Sequence, residues 1–93
     1  MTKRFRDKRT ETIFNDELVK GIHPHLLHAA RIRLQYVHAA ASLDDLRLPP
    51  SNRLERLKGK RAGQWSIRVN KQWRICFAWE NGKAVEIEFV DYH

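Results

Sequence analysis

Residues 65–90, WSIRVNKQWRICFAWENGKAVEIEFV, contain the pattern that decides the fold. Apolar and polar side chains alternate along this stretch with a period of two, which is typical of β-strands. Asn81-Gly82 lies between two such runs and is a strong signal for a two-residue hairpin turn. Residues 73–79 are largely apolar on both faces, which predicts that this segment is the central strand of an antiparallel sheet.

A two-residue turn also predicts the register of the hairpin. The paired positions are then Ala78 with Val85, Cys76 with Ile87, and Arg74 with Phe89. A three-residue turn would shift this parity, because neighbouring residues of a strand point to opposite faces. Residues 54–57 are predicted to form a further strand.

The first half of the chain has a helical pattern instead. Residues 1–9 are predicted to form a short edge strand or an arm, and a first helix is expected to begin at Thr10 or Thr12 and to end at Gly21. Pro24 suits the first turn of a second helix, whose apolar positions recur every three or four residues. The sequence therefore predicts one α+β domain over residues 1–93, with two N-terminal helices packed on a small antiparallel β-sheet.

Composition excludes several classes of protein. The 93 residues include one cysteine, Cys76, which rules out a disulfide framework and a zinc site built from several thiolates. No apolar run approaches the roughly 18 residues that a membrane span requires, and no signal-peptide pattern follows the basic start. We therefore expect a reduced, cytoplasmic protein with no membrane partner.

Positive charge is concentrated in one part of the chain. The sequence has 18 Lys and Arg against 11 Asp and Glu, a net charge of +7, and residues 53–74 hold eight of these bases and one acid. Such a stretch is either a solvated surface or a site for a polyanion, most often a nucleic acid. The candidate residues for binding RNA or the ribosome are Arg53, Arg56, Lys60, Arg61, Arg68 and Lys71.

The chain ends with an acid, a phenol and an imidazole, Asp91-Tyr92-His93. Histidine exchanges protons near neutral pH, which suits the acid and base steps of RNA cleavage, while Lys58 and Arg74 supply cations for the charged phosphate. The alternative interpretation is a frayed terminus without function.

Two further features have simpler explanations. His23, His25 and His28 have spacings that suit a metal, but solvated histidines at a helix start are the favoured interpretation, so we predict neither a metal nor a cofactor. Cys76 lies mid-strand among apolar residues and is predicted to be a buried, inert thiol.

Four motifs occur in order in the second half of the chain, and they carry a family resemblance. They are Leu57-Lys58-Gly59, Gly63-Gln64-Trp65-Ser66-Ile67, Trp73-Arg74-Ile75 and the closing Asp91-Tyr92-His93. This set resembles the HigB-type toxins of the RelE superfamily. The first half agrees more loosely, through Phe5, Lys8, Phe14 and Gly21.

The resemblance implies a compact α+β fold like that of the microbial ribonucleases. It further implies a toxin that cleaves mRNA in the ribosomal A site and is held inactive by a HigA-type helix-turn-helix antitoxin in a hetero-oligomer. Lys58, Arg74, Asp91, Tyr92 and His93 match active-site positions of the family.

One position departs from the family pattern. Many members have a histidine three residues before the Lys of Leu-Lys-Gly, where this chain has Glu55. We therefore assign the main proton transfer to His93, and Glu55 is either a further catalytic group or an ion-pair partner. Because of this departure, a catalytically inactive module that binds RNA or the antitoxin is the alternative, and a purely protein-binding domain is a third hypothesis.

Overall fold

In the computed structural model, which describes residues 3–92, two helices cover one face of a four-stranded antiparallel sheet. The helices are α1 (Lys8–Phe14) and α2 (Pro24–Ala39). The strands are β1 (Glu55–Arg56), β2 (Gln64–Arg68), β3 (Trp73–Glu80) and β4 (Lys83–Asp91), and they are ordered β1-β2-β3-β4. The predicted α+β class is confirmed, and β3 occupies the interior position that its two apolar faces predicted.

The start of α1 differs from the prediction. Asp7, and neither Thr10 nor Thr12, caps the helix, since its Oδ1 accepts a hydrogen bond from the Thr10 N–H at 2.7 Å. Thr10 is fully buried instead, and its hydroxyl accepts a hydrogen bond from the Phe89 N–H of β4 at 3.0 Å. The threonine therefore fastens α1 to the sheet.

The predicted end of α1 at Gly21 is also wrong. The helix ends at Phe14, and Asp16 adopts a left-handed backbone with a φ of 62°. Such a residue just beyond the last turn stops a helix. In contrast, α2 begins at Pro24 as predicted, and His23 caps it through Nδ1, which accepts from the His25 N–H at 3.1 Å.

The hairpin between β3 and β4 follows the predicted two-residue turn for its first part. Asn81 and Gly82 both have positive φ, and Ala78 pairs with Val85 as predicted. Further on the register shifts, so that Cys76 pairs with Glu88 and Arg74 with Val90, which makes the predicted Cys76–Ile87 and Arg74–Phe89 pairs wrong.

A bulge causes this shift, and burial explains the bulge. The register changes between Cys76 and Ala78, opposite the stretch of β4 in which Glu86 has a φ of 51°. The shift places Phe89 opposite Ile75 on the helix side of the sheet, where Ile87 and Phe89 are fully buried. An unbroken register would have turned these two apolar side chains to the other face.

The chain start extends the sheet along β4. Phe5 forms a parallel bridge with Ile87, and the Arg6 N–H donates to the Ile87 carbonyl at 2.9 Å. Residues 3–6 thus form part of the arm predicted over residues 1–9. The first two residues of that prediction lie outside the described part of the chain, and Lys8 and Arg9 belong to α1 instead. The Phe5 ring packs against Phe14 and His38, which joins the arm to both helices.

The second face of the sheet is not covered by the helices. Ser66, Arg74 and Glu88 point to this open face, since they alternate with the buried Ile67, Ile75 and Phe89. Within residues 3–92, no helix is long and apolar enough to cross a membrane.

Candidate functional site

A cleft of about 250 Å³ opens on the second face of the sheet, next to the β2–β3 turn. We call it the Arg74 cleft, and its lining residues are Arg53, Glu55, Arg68, Asn70, Lys71, Arg74 and Tyr92. Six of these seven residues are candidates from the sequence analysis. Six of the seven lie within residues 53–74, where the pairing of β1, β2 and β3 brings them together, and Tyr92 joins them from the residue after β4.

Arg74 is the most firmly held side chain of the cleft, with only 11% of it exposed. Its Nε donates to Ser66 Oγ and its Nη2 donates to the Arg53 carbonyl, both at 2.8 Å. Within residues 3–92 these hydrogen bonds use two of the five N–H donors of a guanidinium. The group is therefore fixed in place while donors remain for an anion in the cleft.

Tyr92 lies beside this guanidinium at the mouth of the cleft. The Arg74 Cζ is 5.7 Å from the centroid of the Tyr92 ring, within the range of a cation–π contact. The Tyr92 N–H donates to the Gln72 carbonyl at 2.7 Å, which fixes the backbone of this residue, and the residue is 37% exposed. An aromatic ring with an exposed surface beside a cation offers a platform for an unstacked base.

Two features of the cleft are unfavourable for folding. Arg68 and Arg74 are direct cross-strand partners on β2 and β3 and belong to the same face. Like charges in this position destabilise a sheet. Arg53 has a φ of 47°, a left-handed backbone that is unusual for a residue with a side chain. Both features are local costs of the kind that functional sites carry, and a bound phosphate would offset the repulsion.

Glu55 is the acid of the Arg74 cleft. It pairs with Ser66 across β1 and β2, which turns it to the same face as Arg74. Its Oε1 is 3.8 Å from Arg74 Nη1, within ion-pair distance but beyond a hydrogen bond. The carboxylate is therefore an ion-pair partner in this structure and also lines the cleft.

Several predicted residues do not line the Arg74 cleft. Lys58 and Lys60 are exposed near the turn after β1, and Arg56 lies with its Cζ 5.9 Å from the centroid of the Trp65 ring. Arg61 donates to Gln64 and to Glu88, each at 3.1 Å. Asp91 pairs with Trp73, and its Oδ2 accepts from the Gln72 side-chain amide at 2.9 Å. His93 lies outside the described residues.

Sequence analysis passed over Asn70, which shapes the rim of the cleft. Its Oδ1 accepts from the N–H groups of both Gln72 and Trp73 at 2.8 Å and so builds the turn between β2 and β3. An Asn between two alternating runs was the available signal, because Asn side chains commonly bond the backbone of turns.

The histidine cluster and Cys76, the other features that the sequence analysis considered, have structural explanations. His23 is the cap of α2, and the described residues 3–92 contain no group of three or more His, Cys, Asp and Glu arranged to hold a metal ion. Cys76 is fully buried, as predicted. Burial raises the pKa of its thiol and outweighs the opposing effect of the Arg61 charge. A neutral thiol is a poor nucleophile.

Comparison with known proteins identifies relatives along the whole chain. A family model described as the RelE-like toxin of the type II toxin–antitoxin system HigB matches residues 3–93. The chain is 39% identical over 94 residues to the protein named Toxin HigB-1 from Vibrio cholerae serotype O1, covering all of this chain and 98% of the relative. It is 33% identical over 93 residues to the protein named Endoribonuclease HigB from Proteus vulgaris, covering both chains completely.

Proposed function

This chain belongs to the RelE-like HigB toxin family, and on that premise we propose that it is a ribosome-dependent endoribonuclease that cleaves mRNA in the ribosomal A site. The Arg74 cleft is the observation that supports this proposal. It combines a fixed guanidinium, further cations, a carboxylate and an exposed aromatic ring in one place. These are the groups needed to hold a ribonucleotide and to stabilise charge at its phosphate.

The proposed reaction uses the ribose 2′-hydroxyl as its nucleophile. A base removes the hydroxyl proton, the oxygen attacks the adjacent phosphate, and an acid protonates the departing 5′-oxygen. Arg74 stabilises the additional negative charge on the phosphorane, because its guanidinium is held in place before the substrate arrives. Tyr92 stacks on or orients the nucleotide.

We assign the main proton transfer to His93, and Glu55 is the second candidate. Glu55 borders the cleft beside Arg74, so its carboxylate is within reach of a phosphate bound there. Asp91 fixes the end of the chain through Gln72, and Lys58 contributes positive charge from the turn after β1. Protein side chains alone then supply the acid, the base and the electrostatic stabilisation, so the proposed reaction is independent of a metal ion.

The proposed partners follow from membership of a toxin–antitoxin family. A HigA-type helix-turn-helix antitoxin binds the toxin in a hetero-oligomer and blocks its activity in the cytoplasm. Six further basic residues contact phosphates of mRNA and of the ribosome. Three of them line the cleft, Arg53, Arg68 and Lys71, and three lie outside it, Arg56, Lys60 and Arg61. A net charge of +7 supports such contacts, since phosphate contacts dominate the affinity for nucleic acids.

A second candidate function rests on the Glu55–Arg74 ion pair. A carboxylate 3.8 Å from the guanidinium competes with a phosphate for the same charge. An inactive domain that binds RNA or the antitoxin would have this property, and it would bind ribosomes without forming any cleavage product.

The test compares one mRNA on programmed ribosomes with the same mRNA free in solution. We expect wild-type protein to cleave only the ribosome-bound message. Removal of His93 should abolish cleavage without unfolding the protein, which circular dichroism checks. Ribosome binding without any product would favour the inactive module, and cleavage that survives the truncation would move the proton transfer to Glu55.

A further inference from the structure

A second cleft adjoins the Arg74 cleft and leads from the β2–β3 turn towards α2. Its volume is about 340 Å³. It shares Arg53, Arg68, Asn70 and Lys71 with the Arg74 cleft, so the two clefts adjoin along these four residues. Arg33, Ser51 and Val69 line only the second cleft, which we call the Arg33 cleft.

Arg33 is a fixed cation in this cleft. Its Nε donates to the Arg68 carbonyl at 3.1 Å, and its Nη1 donates to the Ala29 carbonyl at 3.4 Å, so the side chain spans from α2 to the edge of β2. Within residues 3–92 no carboxylate oxygen lies within ion-pair distance of it. Arg31 of the same helix differs, because it pairs with Asp16 at 3.1 Å.

The lining of the Arg33 cleft is rich in cations and hydrogen-bonding groups. Among the described residues it contains four cationic side chains, from Arg33, Arg53, Arg68 and Lys71, and no acid, together with the hydroxyl of Ser51 and the amide of Asn70. Cations gathered without an acid repel one another, and an anion that accepts hydrogen bonds would offset the repulsion. A phosphate has the charge and the oxygen atoms that these donors would recognise.

We propose that the Arg33 cleft binds a phosphodiester of RNA next to the one held in the Arg74 cleft, so that the RNA backbone runs from Tyr92 towards α2. This inference rests on the proposed function, because it assigns a second binding site to the same substrate class. The adjacency of the two clefts supports it, because a strand that leaves the Arg74 cleft past Lys71 and Arg68 meets two residues that also line the Arg33 cleft. The fixed Arg33 guanidinium loses little conformational freedom on binding.

The experiment measures RNA binding without requiring cleavage. Binding of a 2′-deoxy-substituted, uncleavable oligonucleotide and of programmed ribosomes is measured at several salt concentrations for wild type, Arg33→Gln and Arg31→Gln. Loss of one phosphate contact to single-stranded RNA lowers the slope of log affinity against log salt by about 0.7. We expect this reduction for Arg33→Gln, wild-type behaviour for Arg31→Gln, and recovery in Arg33→Lys.

A second variant guards against a folding defect in Arg33→Gln. Ser51 is exposed and lines only the Arg33 cleft, so Ser51→Glu places an acid there without disturbing the core. We expect it to weaken binding as well. Reduced affinity for the free oligonucleotide supports the inference. Wild-type affinity for this oligonucleotide with a reduction only on ribosomes would overturn it, because the contact would then not lie on the strand held in the Arg74 cleft.

Unchanged affinity and salt dependence in both Arg33→Gln and Ser51→Glu would overturn this inference. The proposed function fails separately, through the absence of cleavage by wild-type protein on ribosomes. In cleavage assays the inference further predicts a raised KM with little change in kcat for Arg33→Gln, because a contact made equally in the ground state and the transition state affects binding alone.

Discussion

At the scale of single residues, Arg74 connects the core of the sheet to the cleft. Its side chain is held by a hydroxyl from β2 and a carbonyl from the segment before β1, while it borders the space in which RNA is proposed to bind. Arginine suits this position because its planar donor array binds two partners in fixed directions. Lysine would carry the charge without that geometry.

Tyr92 provides a test of how the nucleotide is held. Base–aromatic stacking contributes about 1–3 kcal/mol, so Tyr92→Ala should weaken substrate binding by about 5- to 150-fold. Tyr92→Phe should stay near wild type if the ring provides a stacking surface. Binding of an uncleavable message on ribosomes measures both variants, and equal losses in Ala and Phe would assign the contribution to the hydroxyl instead.

The sequence predicted part of this site and missed part. Arg74 and Tyr92 belong to short motifs that require no knowledge of the packing, and Glu55 was noticed because it departs from the family pattern. Arg33 lies in α2, far along the chain from the basic stretch, and its only signal was that it falls off the apolar stripe of the helix. Its contact with the Arg68 carbonyl depends on how the helix crosses the sheet.

At the scale of secondary-structure elements, the sheet was more predictable than its register. Period-two alternation and Asn81-Gly82 predicted β3, β4 and their turn. The bulge beyond Ala78 arises from burial of Ile87 and Phe89 under the helices, which a local pattern does not contain. The cap of α1 was missed because Thr10 forms a bond to β4, a contact distant in sequence.

The contact between α1 and β4 predicts a specific loss of stability. Thr10→Val keeps the shape of the side chain but leaves the buried Phe89 N–H without its acceptor. We expect the free energy of unfolding to fall by about 1–3 kcal/mol. Thr12→Val is the matched control, because the Thr12 hydroxyl makes an exposed bond to the Lys8 carbonyl and should change stability by less than about 0.5 kcal/mol. Urea denaturation measures both, and equal losses would contradict the assignment.

At the scale of the whole molecule, the two faces of the sheet differ in what they carry. The helix face holds the main core, in which Leu34, Ile75, Phe77, Ile87 and Phe89 are fully buried. The open face carries the Arg74 cleft, and the Arg33 cleft adjoins it at the β2–β3 turn and leads towards α2. Burial of apolar side chains in the core therefore offsets the repulsion among the cations of the two clefts, which disfavours the folded state.

Protonation of His38 predicts how stability depends on pH. Burial, and to a lesser degree the Arg4 charge, lower the pKa of His38 below its ordinary value of 6.5, where it packs against Phe5 and Phe14. The unfolded chain then binds more protons than the folded chain between the two pKa values. The free energy of unfolding should therefore decrease as pH falls below about 6.5, until the lower folded-state pKa is reached.

Thermal denaturation at a series of pH values from about 7.5 down to about 5, the range in which histidine titrates, measures this dependence. His38→Phe should lose the His38 contribution, whereas His25→Gln, at an exposed position in the first turn of α2, should retain it. The same pH dependence in His38→Phe as in wild type would place its origin elsewhere.

The rate of mRNA cleavage on programmed ribosomes by Arg74→Lys tests the central claim most directly. Arg47→Lys is the matched control, because Arg47 pairs with Asp44 at 2.9 Å and lies outside both clefts. Removing one donor to a developing negative charge reduces kcat by about 10²–10³-fold, and we predict a loss of this size for Arg74→Lys with wild-type rates for Arg47→Lys. Wild-type cleavage by a folded Arg74→Lys protein would contradict the assignment of the Arg74 cleft as the active site.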